Sequence, residues 1–260
     1  MNKEKTGTRF AANLWCWILL FMLSTLALGV APLWLVGNRL KGKSWIRSAR
    51  EGIWLYGWVY LMGIRPFVKT AITGADLALK RAPAIMVINH QSWLDIYLLG
   101  TQNARNLCFL VRSWPFRRLF FFQPLMRLAG YIETEGVAAD EILKKCRAEL
   151  QAGAMIVCFP EGTRSRDGSL GRFHSGVFKL ATELDISVIP LVIRHSGQIM
   201  PKGSLVFQPG TIHLEMGPVV EPEKFKDETI THGAMRRFVR HHFKSVLERN
   251  HAVSGFNDKN

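Results

Sequence analysis

Two short polar stretches, each following a run of apolar residues, carry side chains suited to chemistry. The first is Asn89-His90-Gln91-Ser92-Trp93-Leu94-Asp95, which follows Ala84-Ile85-Met86-Val87-Ile88. An imidazole is a base near neutral pH. A carboxylate on one ring nitrogen fixes its tautomer and leaves the other nitrogen to take a proton. Five residues of regular helix rotate a side chain by about 140°. His90 and Asp95 therefore meet only if the chain turns between them. Asn89 to Ser92 can supply that turn, with Ser92 capping a helix that begins at Trp93. Taken alone, this spacing more often marks an exposed histidine beside a helix-start aspartate.

The second stretch shifts that balance. Met155-Ile156-Val157-Cys158-Phe159 runs into Pro160-Glu161-Gly162-Thr163-Arg164-Ser165-Arg166. Proline and glycine force an irregular loop whose backbone N–H groups can point outward. Arg164 and Arg166 add guanidinium groups suited to phosphate. Glu161 stands among cations, where it either accepts hydrogen bonds that hold the loop in shape or touches a substrate hydroxyl. The bland alternative for this loop is a charged surface turn.

Both stretches require the same scaffold. Short apolar runs rich in β-branched residues read as strands buried on both faces, and open α/β sheets carry their chemistry just past the carboxyl ends of such strands. Further strands are expected at Val68–Thr73, Leu107–Val111 and Ile186–Ile193. Helices are expected at Trp93–Leu99, Pro115–Leu128, Val137–Gln151 (stopped by Gly153), Ser175–Leu184 and Thr229–Asn250. The alternation predicts an α/β fold, a mostly parallel central sheet flanked by helices. The last helix carries Met235, Phe238, Val239, His242 and Val246 on one face and basic residues elsewhere. Packing of that face on the sheet is favoured over a berth on anionic lipid.

The chain has 260 residues and a formal net charge of +14, a surplus that suits a polyanion such as nucleic acid or an anionic membrane surface. Phe10 to Asn38 is free of charged residues, and its core, 14–36, is long enough to cross a hydrocarbon layer of about 30 Å. Trp15, Trp17 and Trp34 lie near its ends. A cleaved signal peptide is the competing reading, but the apolar region is longer than one needs and no A-x-A site clearly follows. Arg39, Lys41, Lys43, Arg47 and Arg50 come next and favour a cytoplasmic position for that end. Residues 52–64 are apolar but too short to span. They either lie in the interface, form the second arm of a helical hairpin, or pack as a core helix. The expected division is 1–64 as membrane anchor and 65–260 as the catalytic domain, at the inner membrane with that domain facing the cytoplasm. Cys16, Cys108, Cys146 and Cys158 are scattered and read as small buried hydrophobes in a reducing compartment. The histidines show no ligand spacing, so no metal is expected. Nucleic-acid binding rests on charge alone and lacks any recognised motif. A membrane structural protein with a decayed site is the other alternative, and the intact His90, Asp95, Glu161 and Arg164 argue against it.

Three blocks carry a resemblance. Asn89 to Asp95 looks like the N-H-x4-D block of the glycerolipid acyltransferases, the lysophosphatidic acid acyltransferase superfamily. Phe159 to Ser165 is similar to that family's F-P-E-G-T-R-S block, and Val188-Ile189-Pro190-Leu191 resembles its V-P block, in the family's order. The resemblance covers roughly Pro83 to Gly217. It implies acyl transfer from a thioester, acyl-coenzyme A or acyl-carrier protein as co-substrate, to a lysolipid hydroxyl in the membrane. No metal or other cofactor and no nucleic acid take part. His90 would be the general base and Asp95 its orienting partner, with no serine nucleophile. Arg112, Glu161, Gly162, Thr163 and Arg164 would form the substrate-binding set, with the acceptor phosphate on Arg164 and Arg112. Two departures stand out. Gly130-Tyr131-Ile132-Glu133-Thr134-Glu135 has acids where the family often has an arginine, and Phe173-His174-Ser175-Gly176 has lost a lysine that Arg172 or a protonated His174 would replace. The acceptor is therefore expected to be lysophosphatidic acid or a less anionic lysolipid, such as another lysophospholipid or lyso-ornithine lipid.

Overall fold

The computed structural model describes residues 3–74, 83–102, 104–118 and 123–257. The chain opens with a helical hairpin, α1 (Lys3–Leu40) and α2 (Trp45–Ile64). An α/β domain follows. Its strands are β1 (Val68–Thr73), β2 (Ile85–Ile88), β3 (Leu107–Val111), β4 (Ile132–Glu133), β5 (Met155–Cys158), β6 (Val188–Arg194) and β7 (Gly210–Met216). Its helices are α3 (Leu94–Leu98), α4 (Ser113–Arg118), α5 (Gln123–Leu128), α6 (Ala139–Gln151), α7 (Gly176–Leu184), α8 (Ser196–Ile199) and α9 (Thr231–Asn257).

The strands form one sheet in the order β1-β7-β6-β2-β5-β3-β4. Pairing is parallel from β6 through β2, β5 and β3 to β4, while β7 runs antiparallel to β6 and parallel to β1. The carboxyl ends of β2, β5, β3 and β4 therefore share one edge. The central strands are apolar throughout because both faces are covered. In β2, Met86 and Ile88 join a core that includes Tyr60, Leu61 and Ile64 of α2, whereas Ile85 and Val87 face Phe178 of α7 and Met235, Val239 and Phe243 of α9. The apolar face of α9 thus packs into the domain.

The hairpin carries a helix, Thr6–Leu40, that is long and apolar enough to cross a membrane, an 18-residue window within it having a mean hydropathy of 2.2. Within it, α1 runs unbroken through Pro32. The tryptophans at its ends also bond to protein: the Trp15 indole donates to the Gly63 carbonyl, Trp17 to Leu205 and Trp34 to Ser48. The second arm starts at Trp45, well before residue 52, and its Gly57 packs against Tyr97 beside Gly100. A Cβ on Gly100 would lie 2.5 Å from the Trp58 backbone nitrogen, so the close approach of the two elements requires glycine there. Arg50 is not the free juxtamembrane cation its position suggests. It is buried, donating from Nε to the Ala129 carbonyl at 2.7 Å and from Nη1 to Glu149 at 2.7 Å and Asn106 at 3.0 Å. A buried guanidinium requires such partners, and these fasten the hairpin to the domain.

Two further expectations are corrected. The predicted helix over Pro115–Leu128 is two short helices, α4 and α5, and residues 119–122 lie outside the described residues. Strands β4 and β7 were not anticipated.

Candidate active site

His90 leaves β2 at the shared edge, and α3 begins four residues later, so the chain turns where the spacing demands it. His90 Nδ1 lies 2.9 Å from Asp95 Oδ2. The same oxygen accepts the backbone amides of Gln91 at 2.7 Å and Ser92 at 2.8 Å. An oxygen already taking two N–H donors acts as an acceptor, which assigns the ring proton to Nδ1 and leaves Nε2 as the basic nitrogen. Asp95 is fully buried, and the His90 side chain is 17% exposed. The imidazole stacks on Phe159, with ring centroids 4.2 Å apart and planes 28° from parallel. The cap of α3 differs from expectation. Trp93 occupies the cap position, and the Ser92 hydroxyl donates to the Met200 carbonyl while accepting the Leu94 amide at 3.2 Å.

The loop after β5 wraps the histidine from behind. The Glu161 carboxylate accepts the His90 amide at 2.9 Å on one oxygen and the Gly171 amide at 2.7 Å on the other. The Ser165 amide donates to the His90 carbonyl at 2.7 Å. Burial pushes the Glu161 carboxyl above its ordinary pKa, and the two amide bonds oppose that rise. Of the alternatives for Glu161, its geometry is that of a clamp. Gly162 takes φ +68°, a left-handed conformation that glycine tolerates, and its Cα faces the His174 ring.

The cations lie along the same edge. The Arg164 guanidinium rests 4.7 Å from the Trp93 ring centroid. Its Nη1 is buried and meets no acceptor among the described residues. Burial lowers the pKa of Arg164, with the Asp95 charge acting in the other direction. Arg112 follows β3. It donates from Nε to Glu135 and from Nη1 to the Gly162 carbonyl at 3.2 Å. The Glu135 carboxyl is held below the usual range by the Ser113 amide and by Arg112. Thr163 contributes its hydroxyl to Lys202 Nζ at 3.0 Å, and Lys202 also donates to the Arg164 carbonyl at 2.8 Å.

His90, Asp95, Arg112, Glu161, Gly162, Thr163 and Arg164 are thus brought to one sheet edge. Sequence reasoning missed Lys202 as the support of the loop, and missed that Glu135 bonds to Arg112. Trp93 sits inside the H-x4-D block but was read only as the start of a helix, not as the platform under Arg164; Lys202, in a distant Pro-Lys-Gly turn, carried no local signal. Burial pushes the thiols of Cys108, Cys146 and Cys158 up to about 12. Among the described residues there is no group of three or more His, Cys, Asp or Glu placed to hold a metal ion.

Residues 69–194 match the Acyltransferase family. The chain is 36% identical over 153 residues to the chloroplastic 1-acyl-sn-glycerol-3-phosphate acyltransferase LPAT1 of Arabidopsis thaliana, covering 55% of this chain and 41% of that protein. Two proteins of Pseudomonas aeruginosa are similar to nearly the same degree. The 1-acyl-sn-glycerol-3-phosphate acyltransferase is 28% identical over 214 residues, covering 78% of this chain and 76% of its own. The lyso-ornithine lipid O-acyltransferase is 29% identical over 191 residues, covering 71% and 69%. This chain spans half or less of the length of several of the curated relatives it matches. The fold matches the crystal structure of the 1-acyl-sn-glycerophosphate acyltransferase PlsC of Thermotoga maritima, with a TM-score of 0.70 at 21% identity, covering 92% of this chain and 97% of that one.

Proposed function

We propose that the chain, whose residues 69–194 match the Acyltransferase family and which is similar to 1-acyl-sn-glycerol-3-phosphate acyltransferases, transfers a fatty acyl group from a thioester to the free hydroxyl of a lysolipid. The acceptor is 1-acylglycerol-3-phosphate and the product phosphatidic acid. The observation that carries the reading is the His90–Asp95 pair at 2.9 Å, buried on the aspartate side and open on the histidine side, beside a loop of cations.

In this mechanism His90 Nε2 takes the proton of the acceptor hydroxyl as its oxygen attacks the thioester carbonyl. Asp95 holds the ring and stabilises the imidazolium. The tetrahedral intermediate collapses by breaking the carbon–sulfur bond, and the departing thiolate takes the proton back from His90. An ester and a free thiol result, and the histidine is restored. Arg164 and Arg112 hold the acceptor phosphate, with Gly162 and Thr163 shaping the loop between them. Acyl-coenzyme A or acyl-carrier protein supplies the acyl group. Residues 1–64 anchor the chain in the inner membrane among its lipid substrates, and 65–260 form the catalytic domain on the cytoplasmic side. The basic turn after α1 supports that orientation.

A second reading, an acceptor of lyso-ornithine type, is favoured by the carboxylate of Glu135 on Arg112 and by the similarity to the lyso-ornithine lipid enzyme. The test is a mass-spectrometric assay of the purified chain in detergent with lysophosphatidic acid and either donor, run beside His90→Ala. Phosphatidic acid that disappears in the variant is the expected result. Product that survives in the variant overturns the base assignment.

A further inference from the structure

The four strand ends that build the site stand in the order β2, β5, β3, β4, about 4.8 Å apart from one neighbour to the next. That order spreads the chemistry along a line. The base, His90, follows β2, and the loop with Arg164 follows β5. Arg112 follows β3, and Glu135 lies two residues past β4. A ligand laid along this edge from the base meets cations first and a carboxylate last.

Glu135 is tied to both neighbours. One oxygen bonds Arg112 Nε, and the other accepts the Ser113 amide at 2.9 Å at the start of α4. Arg112 and Glu135 keep 50% and 39% of their side chains exposed, so both remain within reach of a ligand. The Glu135 carboxylate opposes the attraction of Arg112 for a phosphate monoester. It also offers an anion at the far end of the row, where a monoester has no group to meet it.

Resting on the acyl-transfer reading above, we propose that Glu135 is an acceptor-selecting residue. It admits zwitterionic lysolipids in which the acylatable hydroxyl, an anion and an ammonium follow one another in that order. The anion takes Arg164 and Arg112, and the ammonium takes Glu135. A glycerophosphoethanolamine headgroup and an ornithine headgroup, whose anion is a carboxylate, both have this chemistry. The reaction on either is the same ester formation with release of thiol.

The test uses the full chain in detergent micelles with one thioester donor and three acceptors: lysophosphatidic acid, lysophosphatidylethanolamine and lyso-ornithine lipid. The readout is the ratio of kcat/KM for each zwitterion to that for lysophosphatidic acid. The wild-type protein is expected to acylate at least one zwitterion. Glu135→Gln keeps an oxygen for the Ser113 amide but removes the charge, and should lower the ratio roughly tenfold, the scale of one charge-assisted contact. Glu135→Asp should restore part of it, an outcome that a merely structural role does not predict. An unchanged ratio in Glu135→Gln, or a wild-type protein that uses lysophosphatidic acid alone, overturns the proposal. Absence of product from all three acceptors instead defeats the acyl-transfer reading itself. The two zwitterions, read separately, identify which anion accompanies the ammonium.

Discussion

The two halves of the site are built by opposite rules. Around His90 the ring and the backbone are fixed by bonds within the chain, and of the carboxylate oxygens there only Asp95 Oδ1 meets no donor among the described residues. Asp95 Oδ2 takes the imidazole and two amides, and Glu161 takes one amide on each oxygen. Around Arg164 the cations keep donors to spare: Nη1 of Arg164 meets no acceptor among the described residues, and Arg112 is half exposed. On the proposed reaction, the difference follows from what each half would do. Proton transfer depends on a reacting nitrogen held in one place, so every backbone contact that fixes the ring is useful. Binding an anion depends on N–H groups not yet satisfied, so the chain supports those cations from below. The Trp93 face lies under Arg164, and Lys202 ties the loop backbone without blocking the guanidinium.

The contrast can be broken at its strongest point first. His90→Ala removes the proposed base and should lower kcat by about 10²–10⁴-fold or more, measured as thiol release from the thioester at saturating acceptor. Some loss of melting temperature should accompany it, because the ring stacks on Phe159 and bonds the buried Asp95. A variant that keeps full turnover would detach the inner half from the chemistry altogether.

Glu161→Gln tests the clamp. Glutamine offers one oxygen, so one of the two backbone N–H groups, of His90 or Gly171, must face an NH₂ group instead. An unsatisfied buried donor costs about 1–3 kcal/mol, and denaturant unfolding should show a loss of that size. Turnover should also fall, with kcat affected more than KM, because the amide that positions His90 is released. A loss confined to KM would move Glu161 to the outer half, as a group that touches substrate.

How much of this contrast was legible follows from where each residue finds its partners. Strands β1 and β3 were read from the sequence with the bounds they have in the structure. For β3, β2 and β5 the signal was a continuous apolar run, because both faces of those strands are buried. Strand β7 escaped because Gly-Thr-Ile-His-Leu-Glu-Met alternates buried with half-exposed residues and includes a histidine and a glutamate. Strand β4 has two residues, too few for any periodicity. The His90–Asp95 meeting was readable because its partners lie within one turn of chain. Arg50 looked like a membrane-flanking cation, since its partners Asn106, Ala129 and Glu149 are distant in sequence and visible only after folding. Lys202 was hidden for the same reason, while the Glu161 clamp was one of two roles the loop chemistry allowed.

In the outer half, Arg164→Ala should raise KM for an anionic acceptor with a smaller change in kcat. The loss in kcat/KM should be roughly 10–100-fold, the scale of a hydrogen bond to a charged group. Steady-state kinetics with acceptor varied at fixed donor checks it, and a pure kcat effect would place Arg164 with the inner half. Lys202→Met should do less, a change of a few-fold in KM, because it loosens the Thr163–Arg164 backbone and leaves the guanidinium in place.

The smallest effect concerns pH, and it carries opposite signs in two parts of the same loop. Buried Glu161 has its pKa raised by burial, so between the unfolded value of 4.5 and its own higher value the folded state holds the proton more tightly. Stability from this group therefore rises as pH falls through that window. Asp167 is exposed and accepts the Ser169 amide and the hydroxyls of Ser165 and Ser169, which depress its pKa to about 2 from 3.8. Its contribution is present above 3.8 and disappears as pH falls toward about 2. Subtracting the unfolding free energy of Glu161→Gln, and separately of Asp167→Asn, from that of the wild type at each pH isolates the two. The Glu161 difference should grow on acidification through its titration and level off below 4.5. The Asp167 difference should shrink on further acidification. Curves of the same sign would mean that the clamp carboxylate is solvated like the loop outside it, and the division between the two halves would fail at the residue that joins them.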